Sequence, residues 1–524
     1  MPPFAILSHC WEDEEVTFGD CASDAVKSQK GYAKIFQTCS QAVLVPIHPC
    51  SQPGGPKLIK AQQGIQYVWI DTCCIDKSSS AELSQAINSM FAWYRNAKIC
   101  YVFLADALGT ESIGDSRWFR RGWTLQELIA PKDIIFFDKT WVKIGTKNDR
   151  LSELSEITSV SCEVLRHESP LSSICVAQRL AWAANRDTTR VEDRAYCLLG
   201  ILEIHMPPLY GEGEKAFYRL QEEIVRSTYD LSILAWSPTE PQDHEHCGFF
   251  AKSPQDFSGC SKMNFTPGAS LDETEMSMSN KGLIVRAPEL AFPVQGRRFC
   301  QYSLKLNCRE ARFQRGSLFI AMRKIAPDVF VRTRWWSTKS FKPKTGTFGE
   351  KSLRQFVLLT KIPNTQVPAS IVSSSRFSQV EIRLPEWVGQ GKPRHVIPRR
   401  AWDDQDHAFI GNATTPLNWG ALSLDRDIFF LCHWSGGMGS LYNFKGYLLD
   451  YNNQEERQLW EHMFLYGEMP DRAGRPTLSM LEFFENDERR DTEFKTPQRR
   501  VSFQYHLAND SNICVGPRWI VEIR

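Results

Sequence analysis

The chain has 524 residues and a formal charge of +1, with 62 Lys and Arg against 61 Asp and Glu, so two or three domains are expected, and the balance argues against a nucleic-acid binder driven by bulk charge, leaving only a local basic patch open. No apolar run reaches the ~20 residues that span a bilayer, so no membrane span is expected. The N-terminus, MPPFAILSHCWEDEE, lacks a basic n-region, which argues against a signal peptide and for a cytoplasmic chain.

The first third alternates short apolar runs with helical patterns. Phe4 to His9 (FAILSH) has the length and apolarity of a buried strand. A helical pattern follows, with Tyr32, Ile35 and Cys39 on one face. Ile65 to Thr72 (IQYVWIDT) is a second strand candidate. In the next helix Ser79 and Glu82 fit a capping box, ahead of a stripe of Leu83, Ile87, Met90 and Tyr94. Lys98 to Ala105 and Asp133 to Asp138 are further strands, and between them Trp123 to Ile129 reads as a helix stopped by Pro131. Strands of this length separated by helices predict an α/β fold, a parallel sheet covered on both faces. Ligands in such sheets bind beyond the carboxyl ends of the strands. The polar residues there are Ser8, His9, Asp71 and Asp106.

From Val176 to Asp230 the pattern turns helical, with three helices broken at Asn185 to Thr189 and at Pro207 to Gly213. Beyond about residue 238, runs such as GLIVRA, DIFFLCHW and VSFQYHLA are strand-like and separated by Gly, Pro and polar stretches. The expected organisation is an α/β domain at 1–175, a helical continuation at 176–237 and a β-rich, sandwich-like domain at 238–524. Sixteen cysteines sit mostly inside apolar runs such as DTCCID and AYCLLG, where they behave as small buried hydrophobes of a reduced compartment. Asp243 to Cys247 (DHEHC) has ligand residue types, but no second pair follows at finger spacing, so no metal is expected.

One stretch raises a chemical question. In RRGWTLQELIAPKDIIFF, residues 120 to 137, Glu127 follows Trp123 by one helical turn and lies behind Arg117, Arg120 and Arg121. A surface glutamate paired with Arg120 or Arg121 is one reading, worth at most ~1 kcal/mol. A catalytic acid in a nucleotide pocket is the other.

The motifs AILSHCWEDEEVTF, YVWIDTCCIDKSSSAELSQAINSMFAWYRNAKICYVFLAD, SRWFRRGWTLQELIAP and RVEDRAYCLLGILEIHMPPLYGEGEKAFYRLQEEI resemble the fungal heterokaryon-incompatibility (HET) domain, in family order over roughly residues 4 to 236. The β-rich remainder resembles, more weakly, the C-terminal extension often joined to that domain. The resemblance implies a role in non-self recognition and programmed cell death. Two departures stand out: Glu12 replaces the glycine that usually follows the motif tryptophan, and Val43 to Lys60 interrupt a usually short link. That insertion is either a surface loop or a fault in the predicted coding sequence.

The HET domain is in turn remotely similar to TIR domains, some of which cleave NAD. That similarity implies a TIR-like parallel sheet and, carried over by position, makes Glu127 the catalytic candidate. NAD would be the substrate, with no further cofactor required. Cleavage between ribose and nicotinamide passes through an oxocarbenium-like cation, and because nicotinamide leaves neutral, one carboxylate offsetting the developing charge suffices. Trp123, at i−4, would shield Glu127 and stack on nicotinamide. Arg117, Arg120 and Arg121 would take the diphosphate, with Ser8, His9 and Trp11 as the opposite wall and Asp71 on the adenosine ribose.

Each role has a plainer rival. Trp118 and Trp123 suit a core, His9 a structural histidine, Cys73 and Cys74 buried packing, and Asp71 a helix cap. Arg186, Arg190 and Arg194 with Glu192 and Asp193 suggest an intradomain ion network. The alternative function is a non-enzymatic signalling module that acts by self-association and recruitment. Homo-oligomerisation on activation and a protein partner for the C-terminal domain are expected under either reading.

Overall fold

The structure, a computed structural model, describes residues 2–22, 24–43, 59–60, 65–110, 113–239, 246–266, 275–287, 290–291, 302–311, 317–333, 339–341, 354–360, 379–385, 388, 393–404, 407–410, 419–424, 428–435, 443–454, 457–458, 460–461, 493–495, 500–507 and 518–524. The chain divides into two compact units. The first comprises Met1–Thr239, Phe250–Leu271 and Leu306–Leu318; the second comprises Glu240–Phe249, Asp272–Lys305 and Phe319–Arg524.

The first unit is built on a six-stranded sheet of β1 (Phe4–His9), β2 (Ile59–Lys60), β3 (Tyr67–Trp69), β4 (Ile99–Phe103), β5 (Ile134–Phe137) and β6 (Lys143–Thr146), in the order β2-β3-β1-β4-β5-β6. The inner four strands are parallel, with Phe4 opposite Tyr67, His9 opposite Phe103 and Phe103 opposite Phe137. Both outer strands run antiparallel. Every residue of β1 and β4 is buried, which is why both read as continuous apolar runs rather than alternating ones. Because β3 and β4 flank β1 on opposite sides, the winding reverses between β1 and β4, and sheets of this kind bind ligands beyond the carboxyl ends of the strands at such a reversal.

Around this sheet lie α1 (Tyr32–Val43), α2 (Asp71–Cys74), α3 (Ser80–Asn96) and α4 (Thr124–Ile129). The expected second strand therefore ends at Trp69, and Asp71 opens a short helix. Ser79 caps α3 by accepting from the Glu82 amide, but the Glu82 carboxylate accepts from the Asp76 amide instead of closing the box. The stripe on α3 buries Ile87, Met90 and Tyr94. Most of the insertion at 43–60 lies outside the described residues, as do Asp243 to Glu245 of the DHEHC segment.

The rest of the unit holds a two-stranded antiparallel sheet of Met263–Phe265 and Cys308–Glu310 and the helices α5 (Leu151–Thr158), α6 (Cys162–Leu165), α7 (Val176–Ala181), α8 (Asp193–Tyr196), α9 (Leu199–Leu202) and α10 (Lys215–Ser227). Four helices, three of them of six residues or fewer, thus occupy 176–227 where three were expected, and α10 buries Phe217, Leu220 and Ile224 as its spacing predicts. Gly200 in α9 is sterically required, since a Cβ there would stand 2.1 Å from Phe91 Cβ on α3.

Among its described residues the second unit is strand-rich, with sheets of nine, six and four strands. One buried cluster joins Val380, Phe409, Phe503 and Val521 of the six-stranded sheet to Leu422, Phe430 and Leu448 of the four-stranded one. Lys324 and Asp403 form a fully buried ion pair at 2.5 Å.

Candidate active site

The chemistry-bearing residues of the first unit gather at the carboxyl end of β1. All six residues of α4 are buried, and Glu127 is only 7% exposed. It therefore is not a solvated surface acid. Its Oε2 accepts the hydroxyl proton of Ser8, at the end of β1, and Ser8 Oγ in turn accepts from Trp118 Nε1 at 2.8 Å. The chain of donors runs indole to hydroxyl to carboxylate, so it favours the ionised acid. Burial opposes this and prevails. Desolvation, with the Asp71 charge adding to it, lifts the carboxyl from 4.5 to about 7 against the Ser8 bond, the Arg121 charge and the Tyr94 hydroxyl. Tyr94, buried on α3, donates its single hydroxyl proton to the Leu7 carbonyl at 3.0 Å. A buried glutamate poised near neutrality is the type of group that functional sites assemble.

His9, next along β1, is buried, and neither ring nitrogen has a hydrogen-bond partner. Glu15 and Asp71 flank it at 3.7 and 4.0 Å, too far for direct bonds. Glu15 is a strong acid here. Burial alone would raise it, but His9, the Lys34 ammonium and the Glu12 amide bring it to about 2. Trp11 stands 41% exposed, its Nε1 donating to Asp71 at 2.8 Å. Lys77 Nζ lies 3.6 Å and Arg121 Cζ 5.1 Å from its ring centroid, two cation–π contacts that hold two positive charges against the indole. Burial pushes the nearby Cys10 thiol up to about 11, so it is no ready nucleophile.

Ser8, His9, Trp11, Asp71 and Arg121 thus cluster around Glu127. Three other predicted residues lie elsewhere. Arg117 is exposed beside Asp106 at 3.4 Å and Glu12 at 3.7 Å, so the family-atypical Glu12 offsets its charge. Arg120 lines a separate cavity of about 380 Å³, whose wall does not include Glu127. Trp123 donates to Asp193, and the aromatic that reaches the Glu127 network is Trp118. Sequence reasoning missed Tyr94, Trp118, Lys34 and Lys77 as site residues. Tyr94 was visible only as an apolar position and Trp118 only as a core residue or a stacking platform, and nothing in spacing marks a core aromatic whose polar tip is used.

The expected ion network around Arg186 takes another form. Its guanidinium Nη1 donates to the Arg121 carbonyl at 2.8 Å and to Thr124 Oγ1 at 3.0 Å, pinning the entry to α4. Glu192 accepts from the Gly211 and Gly213 amides, Asp193 from the Tyr210 hydroxyl, and Arg190 lies over the Tyr210 ring.

Among the described residues no group of three or more His, Cys, Asp or Glu side chains is arranged to hold a metal, and no helix is long and apolar enough to cross a membrane. The cysteines among them are free thiols.

Comparison with known proteins gives the arrangement a context. Residues 4–113 match the heterokaryon incompatibility protein (HET) family, and residues 215–281 match a domain of unknown function (DUF8212). The chain is 43% identical over 248 residues to the vegetative incompatibility protein HET-E-1 of Podospora anserina, a match that covers 45% of this chain and 17% of that protein. No solved structure matches the chain.

Proposed function

We propose, from the premise that this chain belongs to the heterokaryon-incompatibility (HET) family through its first domain, that it acts in fungal non-self recognition and cell death by cleaving NAD at a TIR-like site. The observation that carries the proposal is the buried Glu127 carboxylate, held by Ser8 at the carboxyl end of β1 with its ordinary value displaced to about 7. An ionised carboxylate there would stabilise a ribosyl cation as it forms, and its low-dielectric setting would strengthen that effect. Nicotinamide departs neutral, so no second acid is needed. Arg121 and Lys77, beside the exposed Trp11 ring, suit a diphosphate. The unpartnered nitrogens of buried His9 suit a hydrogen bond from substrate or water.

A second reading, a non-enzymatic module that assembles and recruits, draws support from how completely Glu127 is enclosed. In that reading Ser8, Trp118 and Glu127 hold α4 to β1, and the domain presents an interface. The second unit would regulate the first or bind a partner protein in either case.

Nicotinamide release from NAD separates the two. It is to be measured with the full chain at high concentration, beside Glu127→Ala, Glu127→Gln and Ser8→Ala. Loss of roughly 100-fold or more in both Glu127 variants, with folding intact, supports hydrolysis. Turnover that survives both substitutions, or no turnover in the wild type under conditions shown to permit assembly, overturns it.

A further inference from the structure

The cavity of about 380 Å³ next to α4 is a second place where the first unit concentrates charge, and its case is independent of Glu127. Its volume lies within the ~300–1,000 Å³ of small-molecule sites. Arg120, Arg186 and Arg194 line it against the single carboxylate of Asp187, leaving two positive charges in excess. Arg120 and Arg194 are exposed, and neither side chain has a hydrogen bond or ion pair among the described residues. Arg186 differs: it is 9% exposed, and while Nη1 is bonded, Nη2 is buried without a partner. Burial depresses this guanidinium to about 10, so the fold maintains a costly cation with part of its donor fork unused.

The backbone around the cavity is fixed. The Asp187 amide donates to the Arg120 carbonyl at 2.6 Å, and the Gly122 amide donates to the Asp187 carbonyl at 2.8 Å. Gly122 permits this approach, since a Cβ there would meet Thr188 Cγ2 at 2.5 Å. Two arginines are thereby carried on segments held in register with each other.

We propose that this cavity binds a small molecule bearing a phosphate or diphosphate group, held by the guanidiniums of Arg120, Arg186 and Arg194. Planar forks match tetrahedral oxyanions bidentately, which ammonium groups do not. Asn185 and Gln255 in the wall offer neutral donors and acceptors to the organic part of the ligand.

Isothermal titration of the full chain with inorganic phosphate, inorganic pyrophosphate and AMP tests this. Binding is expected to weaken roughly tenfold in Arg120→Gln and again in Arg194→Gln, with melting temperature unchanged because both side chains are exposed and unpaired. Tighter binding of AMP than of the inorganic ions assigns a nucleotide; equal binding assigns a simple oxyanion site, and both support the proposal. Arg194→Lys keeps the charge and is expected to lose affinity severalfold with the fork. No heat from any of the three probes, or affinities that both glutamine variants leave intact, overturns it.

Discussion

Glu127→Gln tests the buried-acid argument without any assumption about activity. The native carboxyl sits at about 7 rather than 4.5, mainly through desolvation, so the folded state holds a proton that the unfolded chain releases. The favourable contribution is present in full below 4.5 and is lost as pH rises through 7. The gap between those values corresponds to roughly 3 kcal/mol. Glutamine has the same shape, keeps an oxygen for the Ser8 hydroxyl and carries no charge to bury. The stability difference, variant minus wild type, should therefore grow by roughly 3 kcal/mol between about pH 4.5 and pH 8. Urea melts of both proteins at matched pH give the difference, and hydrogen exchange at the β1 amides isolates the unit that contains Glu127. A difference that stays flat across that window would show that Glu127 titrates as an ordinary carboxylate, and the poised acid would fall with it.

If the ionised form does the chemistry, nicotinamide release should rise with pH through about 7 and level off above it; a rate that falls over that range contradicts the role. Lys147, buried and donating to the Pro131 carbonyl at 2.7 Å, is brought down from 10.5 to about 7 chiefly by burial. Its folded value lies below its unfolded one, so wild-type stability should climb from pH 7 towards 10.5. Lys147→Met should remove that climb in urea melts, and equal slopes would count against it. Gly200→Ala, forced against Phe91, should cost about 1–3 kcal/mol, read as a lowered urea midpoint. In the second unit, Asp403→Ala leaves Lys324 buried beside an empty position and should cost about 3–5 kcal/mol, whereas an apolar replacement of both partners should recover most of it.

What the sequence disclosed followed from which interactions are local. The inner strands were legible because burial on both faces leaves an uninterrupted apolar run. The strand Lys143–Thr146 was not, because it is an edge strand with only Ile144 buried. The position of Glu127 on a helix was readable from spacing, but its partner was not: Ser8 lies 119 residues away, and only the sheet brings them together. Trp123 looked like the natural companion at i−4, an inference that presumes a helix with one functional face. With α4 buried on all sides, that premise fails, and each side chain follows whichever neighbour packs against it. The same logic divides the arginines. Arg117, Arg120 and Arg121 are close in sequence, yet the turn that carries them directs one to Asp106, one to a separate cavity and one to Trp11. A run of like charges therefore specifies how many cations a region holds, while the backbone decides how many sites they serve. If Arg120 and Arg121 serve two, a single substitution at each should impair different ligands.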